Sequence, residues 1–159
     1  MILVTLGTQD KDFSRLIKAV EQYVKKNKIK EKVIVQAGHT KYKSDYLEIL
    51  DFVDMNKFNK LISECSILIT HGGVGSILAG INNGKKVIAA ARLEKYKEHT
   101  NDHQKQIIKE LVKEEYIVEL KNFNKLDIAI KEVKKLKVKK YISNTHNMIN
   151  LIESYIDKS

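Results

Sequence analysis

The run Ser66-Ile67-Leu68-Ile69-Thr70 passes without a break into His71-Gly72-Gly73-Val74-Gly75-Ser76, and from there into the helical spacing of Ile77, Leu78 and Ile81. A continuous apolar run, a glycine turn and then a 3.6-residue period describe a strand that feeds directly into a helix. A strand of that kind requires parallel neighbours to satisfy its backbone and helices to cover both of its faces. The rest of the chain supplies them. Residues 2–5 read as a first strand ending in Gly7-Thr8, and Phe13, Leu16, Ile17, Val20 and Val24 follow at helical spacing, with Asp10 or Asp12 placed to cap. Val33-Ile34-Val35-Gln36 reads as a second strand stopped by Ala37-Gly38, residues 42–45 as a polar loop and 49–53 as a third strand. Phe58, Leu61, Ile62 and Cys65 lie on one face of a helix starting near Asp54. The helix after the glycine turn stops near Asn83-Gly84, and residues 86–90 form another uninterrupted apolar strand.

After a break in periodicity at residues 91–102, Ile107, Ile108, Leu111 and Val112 resume a helix and residues 116–119 a short strand. A basic helix over 125–136 follows, and a last amphipathic one carries Met148, Leu151, Ile152, Tyr155 and Ile156 along one side. Alternation of this kind predicts an α/β fold, a single doubly wound Rossmann-like domain with a parallel sheet, over residues 1–159.

Composition narrows the function classes. With 159 residues and 43% hydrophobic content the chain builds one real core. The single cysteine, Cys65, excludes an internal disulfide and a cysteine-based zinc ribbon, and its place on an apolar helical face marks it as core. No apolar run reaches the ~18 residues of a membrane span, and the N-terminus reads as a strand and not a signal peptide, so a cytoplasmic chain is expected. The formal charge is +9, but 27 of the 29 basic residues are Lys, and Arg15 and Arg92 are the two arginines. A nucleic-acid reader favours Arg with interleaved aromatics, so the charge reads mainly as solvated lysine and no nucleic-acid partner is expected. Residues 121–140 carry eight Lys against Asp127 and Glu132, a segment suited to an anionic membrane surface.

In doubly wound folds ligands bind beyond the carboxyl ends of the strands. The turn His71-Gly72-Gly73-Val74-Gly75-Ser76 falls at that edge. Its glycines let the backbone approach an anion, its helix N-terminus favours phosphate, and Ser76 and His71 add donors. It is not a P-loop, because no Gly-Lys-Ser/Thr follows, and Leu78 stands where a dinucleotide fingerprint needs its third glycine. Arg92 on an NADP 2′-phosphate stays open as an alternative. A second polar cluster, Glu98-His99-Thr100-Asn101-Asp102-His103-Gln104, follows Arg92. It suits recognition of a hydroxyl-rich ligand. Two other readings stay open: a helix-capping loop around Asn101 or Asp102, and half of a metal site at His99 and His103. His39 and His146 stand alone and read as surface residues.

Taken in order, Val4-Thr5-Leu6-Gly7-Thr8, Gln36-Ala37-Gly38, Thr70-His71-Gly72-Gly73-Val74-Gly75-Ser76-Ile77 and Glu98-His99-Thr100-Asn101-Asp102-His103-Gln104 resemble the C-terminal half of a GT-B glycosyltransferase of the family 28 type. The resemblance extends over nearly the whole chain. It is closest to small stand-alone versions of that half, the cytosolic subunit of the two-part dolichol-pathway N-acetylglucosaminyltransferase and its bacterial capsular and exopolysaccharide relatives. It implies an inverting hexosyltransferase subunit with a UDP-sugar as donor substrate and no cofactor or required metal. The hexose would be galactose, glucose or N-acetylglucosamine, the acceptor a lipid-linked saccharide. A membrane-anchored, acceptor-binding partner would supply the missing half and the general base, holding the chain at the membrane periphery. No catalytic residue is assigned within this chain.

Residue by residue, the resemblance places His71, Gly73, Gly75 and Ser76 on the diphosphate, and Gly72 is a candidate contact beside them. Asn101, His103 and Gln104 fall on the donor sugar and its phosphates, with Arg92, Glu98 and His99 in the same recognition cluster. Gly7 and Thr8 line the cleft. Two departures stand out: Ala79 occupies the place of an acidic ribose contact, and Ala90-Ala91-Arg92 replaces a Val-Pro-Arg. A non-catalytic UDP-sugar-binding regulatory module is the competing reading, and an NADP- or nucleic-acid-binding α/β domain stands behind it.

Overall fold

Strand β1 (Ile2–Thr5) sits in the middle of the sheet because every one of its residues is apolar or small and buried. The computed structural model describes residues 1–99 and 103–140, with His103 described by its backbone alone. Strands β2 (Val33–Gln36) and β3 (Glu48–Leu50) extend the sheet on one side of β1, and β4 (Ile67–His71), β5 (Lys86–Ala90) and β6 (Val118–Glu119) on the other. All pairings are parallel and the order is β3-β2-β1-β4-β5-β6. The fold is therefore a single α/β domain of the doubly wound, Rossmann-like type, as the alternation predicts. The chain winds outward from β1 to β3 and then returns to lay β4 against β1. That reversal is the topological switch point, where the connections leave a crevice at the carboxyl ends of the two strands.

The helices divide between the two faces. Helices α1 (Ser14–Lys26) and α5 (Leu126–Lys135) bury Leu16, Ile17, Val20, Val24, Leu126, Ile130 and Val133 with Val4, Val35, Ile69 and Ile88. Helices α2 (Met55–Glu64), α3 (Val74–Asn82) and α4 (His103–Lys113) cover the other face through Leu61, Ile62, Ile77, Ile81, Ile107 and Leu111, against Leu3, Ile34, Leu68 and Val87. Cys65 is buried in this second layer, its thiol donating to the Ile62 carbonyl at 3.2 Å. Gly80 brings α3 close to the sheet: a Cβ there would lie 2.7 Å from both Leu68 Cδ2 and Val87 Cγ2.

Several boundaries shift for physical reasons. Helix α1 starts at Ser14 with no side-chain cap, because Phe13 holds the cap position and turns fully into the core while its N–H donates to Thr40 Oγ1. Asp12 instead accepts from the Ser14 N–H and hydroxyl. Asp54 does cap α2, accepting from Lys57 N at 2.7 Å. Strand β3 ends at Leu50, not at residue 53, since the Leu50 and Asp51 carbonyls are used by the N–H groups of Ala37 and Gly38 and the chain then turns away. Helix α3 closes on Gly84 at φ +69°, and Glu115 at φ +62° delays β6 to Val118. The expected last helix at Met148 to Ile156, His146, and the proposed caps Asn101 and Asp102 lie outside the described residues.

Candidate functional site

At the switch point the register sets Thr5 beside Thr70, and their hydroxyls share a buried hydrogen bond of 2.8 Å. Two loops leave the sheet side by side from this pair, Leu6-Gly7-Thr8 after β1 and Gly72-Gly73 after β4. Between them lies His71, almost fully buried. Its Nδ1 accepts the Gly73 N–H at 3.1 Å, which leaves the ring proton on Nε2. The opposite edge of the ring fills the space a side chain would need at both loops. A Cβ on Gly7 would meet Nε2 at 2.5 Å, and one on Gly73 would meet Cε1 at 2.2 Å. Burial, reinforced by the nearby charge of Arg92 and by His99, pushes the His71 pKa down to about 3. His71 is a neutral imidazole that shapes the turn.

The glycine turn thus separates into two parts. Gly72 and Gly73 are buried and their N–H groups are used inside the protein, by Gln104 Oε1 at 3.1 Å and by His71. Both were expected at the diphosphate, and in this structure their N–H groups have partners within the fold. Gly75 is exposed with nothing near its Cα face, and Ser76 is half-buried. Helix geometry leaves the N–H groups of Val74, Gly75 and Ser76 without a carbonyl one turn back, and the first intrahelical bond runs from Ile77 N to Gly73 O.

These groups open on a cleft of about 360 Å³ lined by Gly7, Thr8, Gln36, Phe52, Val53, Met55, Phe58, Asn59, Gly75, Ser76 and Ala79. Four of the expected residues meet here: Gly7, Thr8, Gly75 and Ser76. Ala79 is in the wall, so the position of the implied acidic contact does face the cleft without a polar group. The opposite wall is the 52–58 segment, which sequence reasoning missed. Phe52 and Met55 are large apolar side chains left 52% and 70% exposed, and their only signal in the sequence was apolar residues interleaved with Asp51 and the capping Asp54. His39, exposed as expected, packs its ring edge-on to Phe52. A larger groove, about 580 Å³, runs between α1 and residues 123–127, but it carries none of the glycine-turn backbone.

The described members of the second polar cluster are held by bonds within the fold. Arg92 is 1% exposed, and its guanidinium donates to the carbonyls of Leu6, Lys11 and Glu98 at 2.6, 2.8 and 3.1 Å. The Glu98 carboxylate is gripped from both oxygens by Arg15 at 2.8 and 2.9 Å and accepts the Leu93 N–H at 3.0 Å. Gln104 Oε1 accepts from Arg92 N as well as from Gly72 N. Arg92, Glu98 and Gln104 therefore tie loops together here, because burial at a crossing of three loops demands polar partners for the backbone. His99 is also buried. Asn101 and the His103 side chain lie outside the described residues, and among the described residues no three His, Cys, Asp or Glu gather as a metal-binding cluster.

The basic segment 121–140 does not surround the cleft. Helix α5 runs back across the sheet, so Lys134 and Lys135 reach the start of β5, where the Lys86 ammonium donates to the Lys134 carbonyl. Among the described residues no helix is long and apolar enough to cross a membrane.

Comparison with known proteins bears on this geometry. Among solved structures the chain superposes on ALG13, seen by NMR, with TM-score 0.60 and 18% identity over 96% of this chain and 95% of that one. It also matches the glycotransferase of kitacinnamycin (TM-score 0.61, 15% identity) and the calicheamicin glycosyltransferase CalG4 (TM-score 0.60, 14% identity), covering 96% of this chain but only 37% and 38% of theirs. These likenesses establish a shared fold. A search of curated proteins by sequence finds no match. The family model for the glycosyltransferase family 28 C-terminal domain matches residues 1–156. With a Rossmann-like sheet and a cleft at its switch point, this chain belongs to the glycosyltransferase family 28 C-terminal domain family.

Proposed function

We propose that the chain is the donor-binding subunit of an inverting glycosyltransferase, taking a UDP-sugar in the cleft between Gly7-Thr8 and Gly75-Ser76. The observation that carries this reading is the meeting of the β1 loop with the open first turn of α3 beside an exposed apolar wall. The N–H groups of Val74 to Ser76 and the helix dipole favour a diphosphate. Phe52, Val53, Met55 and Phe58 offer a flat apolar surface to a nucleobase, and Gln36 and Asn59 are the amide groups available to hydroxyls.

In the reaction, an acceptor hydroxyl oxygen bonds to the anomeric carbon as the bond from that carbon to the diphosphate oxygen breaks, with inversion. Negative charge then grows on the diphosphate, where pre-set N–H donors stabilise it. The acceptor proton must pass to a general base. Among the described residues that line the cleft, none is an acid or a base. The reading therefore assigns the base, with the lipid-linked acceptor, to a membrane-anchored partner, in capsular or exopolysaccharide synthesis, with galactose, glucose or N-acetylglucosamine as the hexose. The same lack of a titratable group favours the second reading, a UDP-sugar-binding module without turnover.

Calorimetric titration with UDP and UDP-hexoses tests the binding step. Saturable binding that weakens in Ser76→Ala is expected, and absence of binding rejects the reading. Turnover of a polyprenyl-linked acceptor only when the chain is combined with a membrane partner separates the enzyme from the module.

A further inference from the structure

The chain has 27 lysines and two arginines, and both arginines converge on one residue, Glu98. Arg15 comes from the first turn of α1 and takes the carboxylate through Nε and Nη2. Arg92 follows β5 and takes the Glu98 carbonyl, reaching on through the same guanidinium to the carbonyls of Leu6 and Lys11. The Arg15 guanidinium lies over two rings, 3.7 Å from the Phe123 centroid and 4.4 Å from that of Tyr96. Its side chain is 27% exposed and that of Glu98 4%. A lysine ammonium supplies neither the paired N–H fork nor the flat face that stacks on rings.

The loops so joined are those that frame the cleft. Leu6 immediately precedes Gly7 and Thr8. Gln104 links Arg92 N to Gly72 N, on the turn that leads into Gly75 and Ser76. Arg15 hydrogen-bonds to the Glu98 carboxylate and the Ala91 carbonyl, outside the cleft wall, so its influence passes through Glu98 and Arg92.

We propose that Arg15 and Glu98 are positioning residues for the nucleotide-sugar site: their clasp, extended by Arg92, sets the separation between the Gly7-Thr8 rim and the first turn of α3. The proposal rests on the UDP-sugar reading above. A rim held in place before binding saves the ligand the cost of ordering it, and small displacements of such groups weaken binding strongly.

The test uses the full chain, titrated calorimetrically with UDP and with UDP-glucose and UDP-N-acetylglucosamine. Arg15→Lys keeps the charge and removes the fork; Glu98→Gln keeps the shape and removes the charge. Each variant is first shown to be folded at the titration temperature by circular dichroism. Each is expected to bind about tenfold more weakly than the wild type, and the double variant no worse than the weaker single one, as members of one clasp. A merely structural role lowers the melting temperature and leaves the affinity of the folded protein unchanged; that result overturns the proposal while wild-type binding keeps the UDP-sugar reading intact. Wild-type protein that binds no UDP instead removes the reading itself, and the proposal with it. If Arg15→Lys does not fold, Tyr96→Ala removes one stacked ring from an exposed position, and unchanged affinity there is equally decisive against the clasp.

Discussion

The Gly73 N–H donates to Nδ1 of His71 across 3.1 Å, and the remaining edge of that imidazole lies where side chains on Gly7 and Gly73 would otherwise be. One ring therefore decides the residue type at two loops separated by more than sixty positions in the sequence.

Gly73→Ala places a methyl 2.2 Å from His71 Cε1 inside a buried turn. Overpacking of this kind costs about 1–3 kcal/mol. Urea unfolding should show that loss in the single variant and a smaller loss when His71→Ala makes room for the methyl. Additive losses in the double variant would contradict the contact. Gly7→Ala should cost at least as much, since Gly7 also holds φ +75°.

His71 gives the chain a defined acid sensitivity. In the unfolded chain its imidazole takes up a proton near its ordinary value of 6.5, whereas the folded protein resists protonation until about 3. Between those values the unfolded state binds more protons, so stability falls as pH is lowered; the single-site loss reaches about 2 kcal/mol by about pH 5. Denaturant midpoints measured across this range should follow that slope, and His71→Asn should flatten it.

Gly75 behaves oppositely to Gly73 because nothing lies within 4 Å of its Cβ direction and it stands in the first turn of α3. Gly75→Ala should leave the fold intact or stabilise it by up to about 1 kcal/mol through helix propensity. The added methyl projects into the cleft, so UDP binding should weaken severalfold in the same protein. A variant that is stable and binds UDP as the wild type does would show that the backbone here is not approached by the ligand.

Gln104→Ala should destabilise by about 2–4 kcal/mol, because a single side-chain oxygen satisfies two buried N–H groups, those of Gly72 and Arg92, and each orphaned donor carries a desolvation cost. Thermal unfolding measures it, and hydrogen exchange at Gly72 and Arg92 should accelerate in step.

Much of the architecture was legible in local pattern. Uninterrupted apolar runs at Ile67 to Ile69 and Val87 to Ala90 read as strands covered on both faces, and the β–α alternation left a parallel sheet as the economical arrangement. Asp54 and Gly84 announced a helix start and a helix end through chemistry that acts over three or four residues. Third-strand length and the start of α1 were misread because neighbours distant in sequence decided them: Ala37 and Gly38 cap the carbonyls that end β3, and core packing draws in Phe13.

The division at the site follows the same line. By itself the sequence determined the doubly wound fold, the strand-to-helix glycine turn and the sheet edge on which that turn opens, since each depends on period, turn residue or strand polarity, while the place of Gly7 and Thr8 beside it came from the family resemblance. Only the tertiary structure decided that Gly72 and Gly73 serve His71 and Gln104, that Phe52 and Met55 wall the cleft, and that Arg15, Arg92 and Glu98 tie loops together. A residue type discloses which bonds a side chain can make. Whether those bonds go to a ligand or to a backbone group eighty residues away is settled by which loops the sheet order brings together, and by the cost of leaving polar groups unpaired where they are buried.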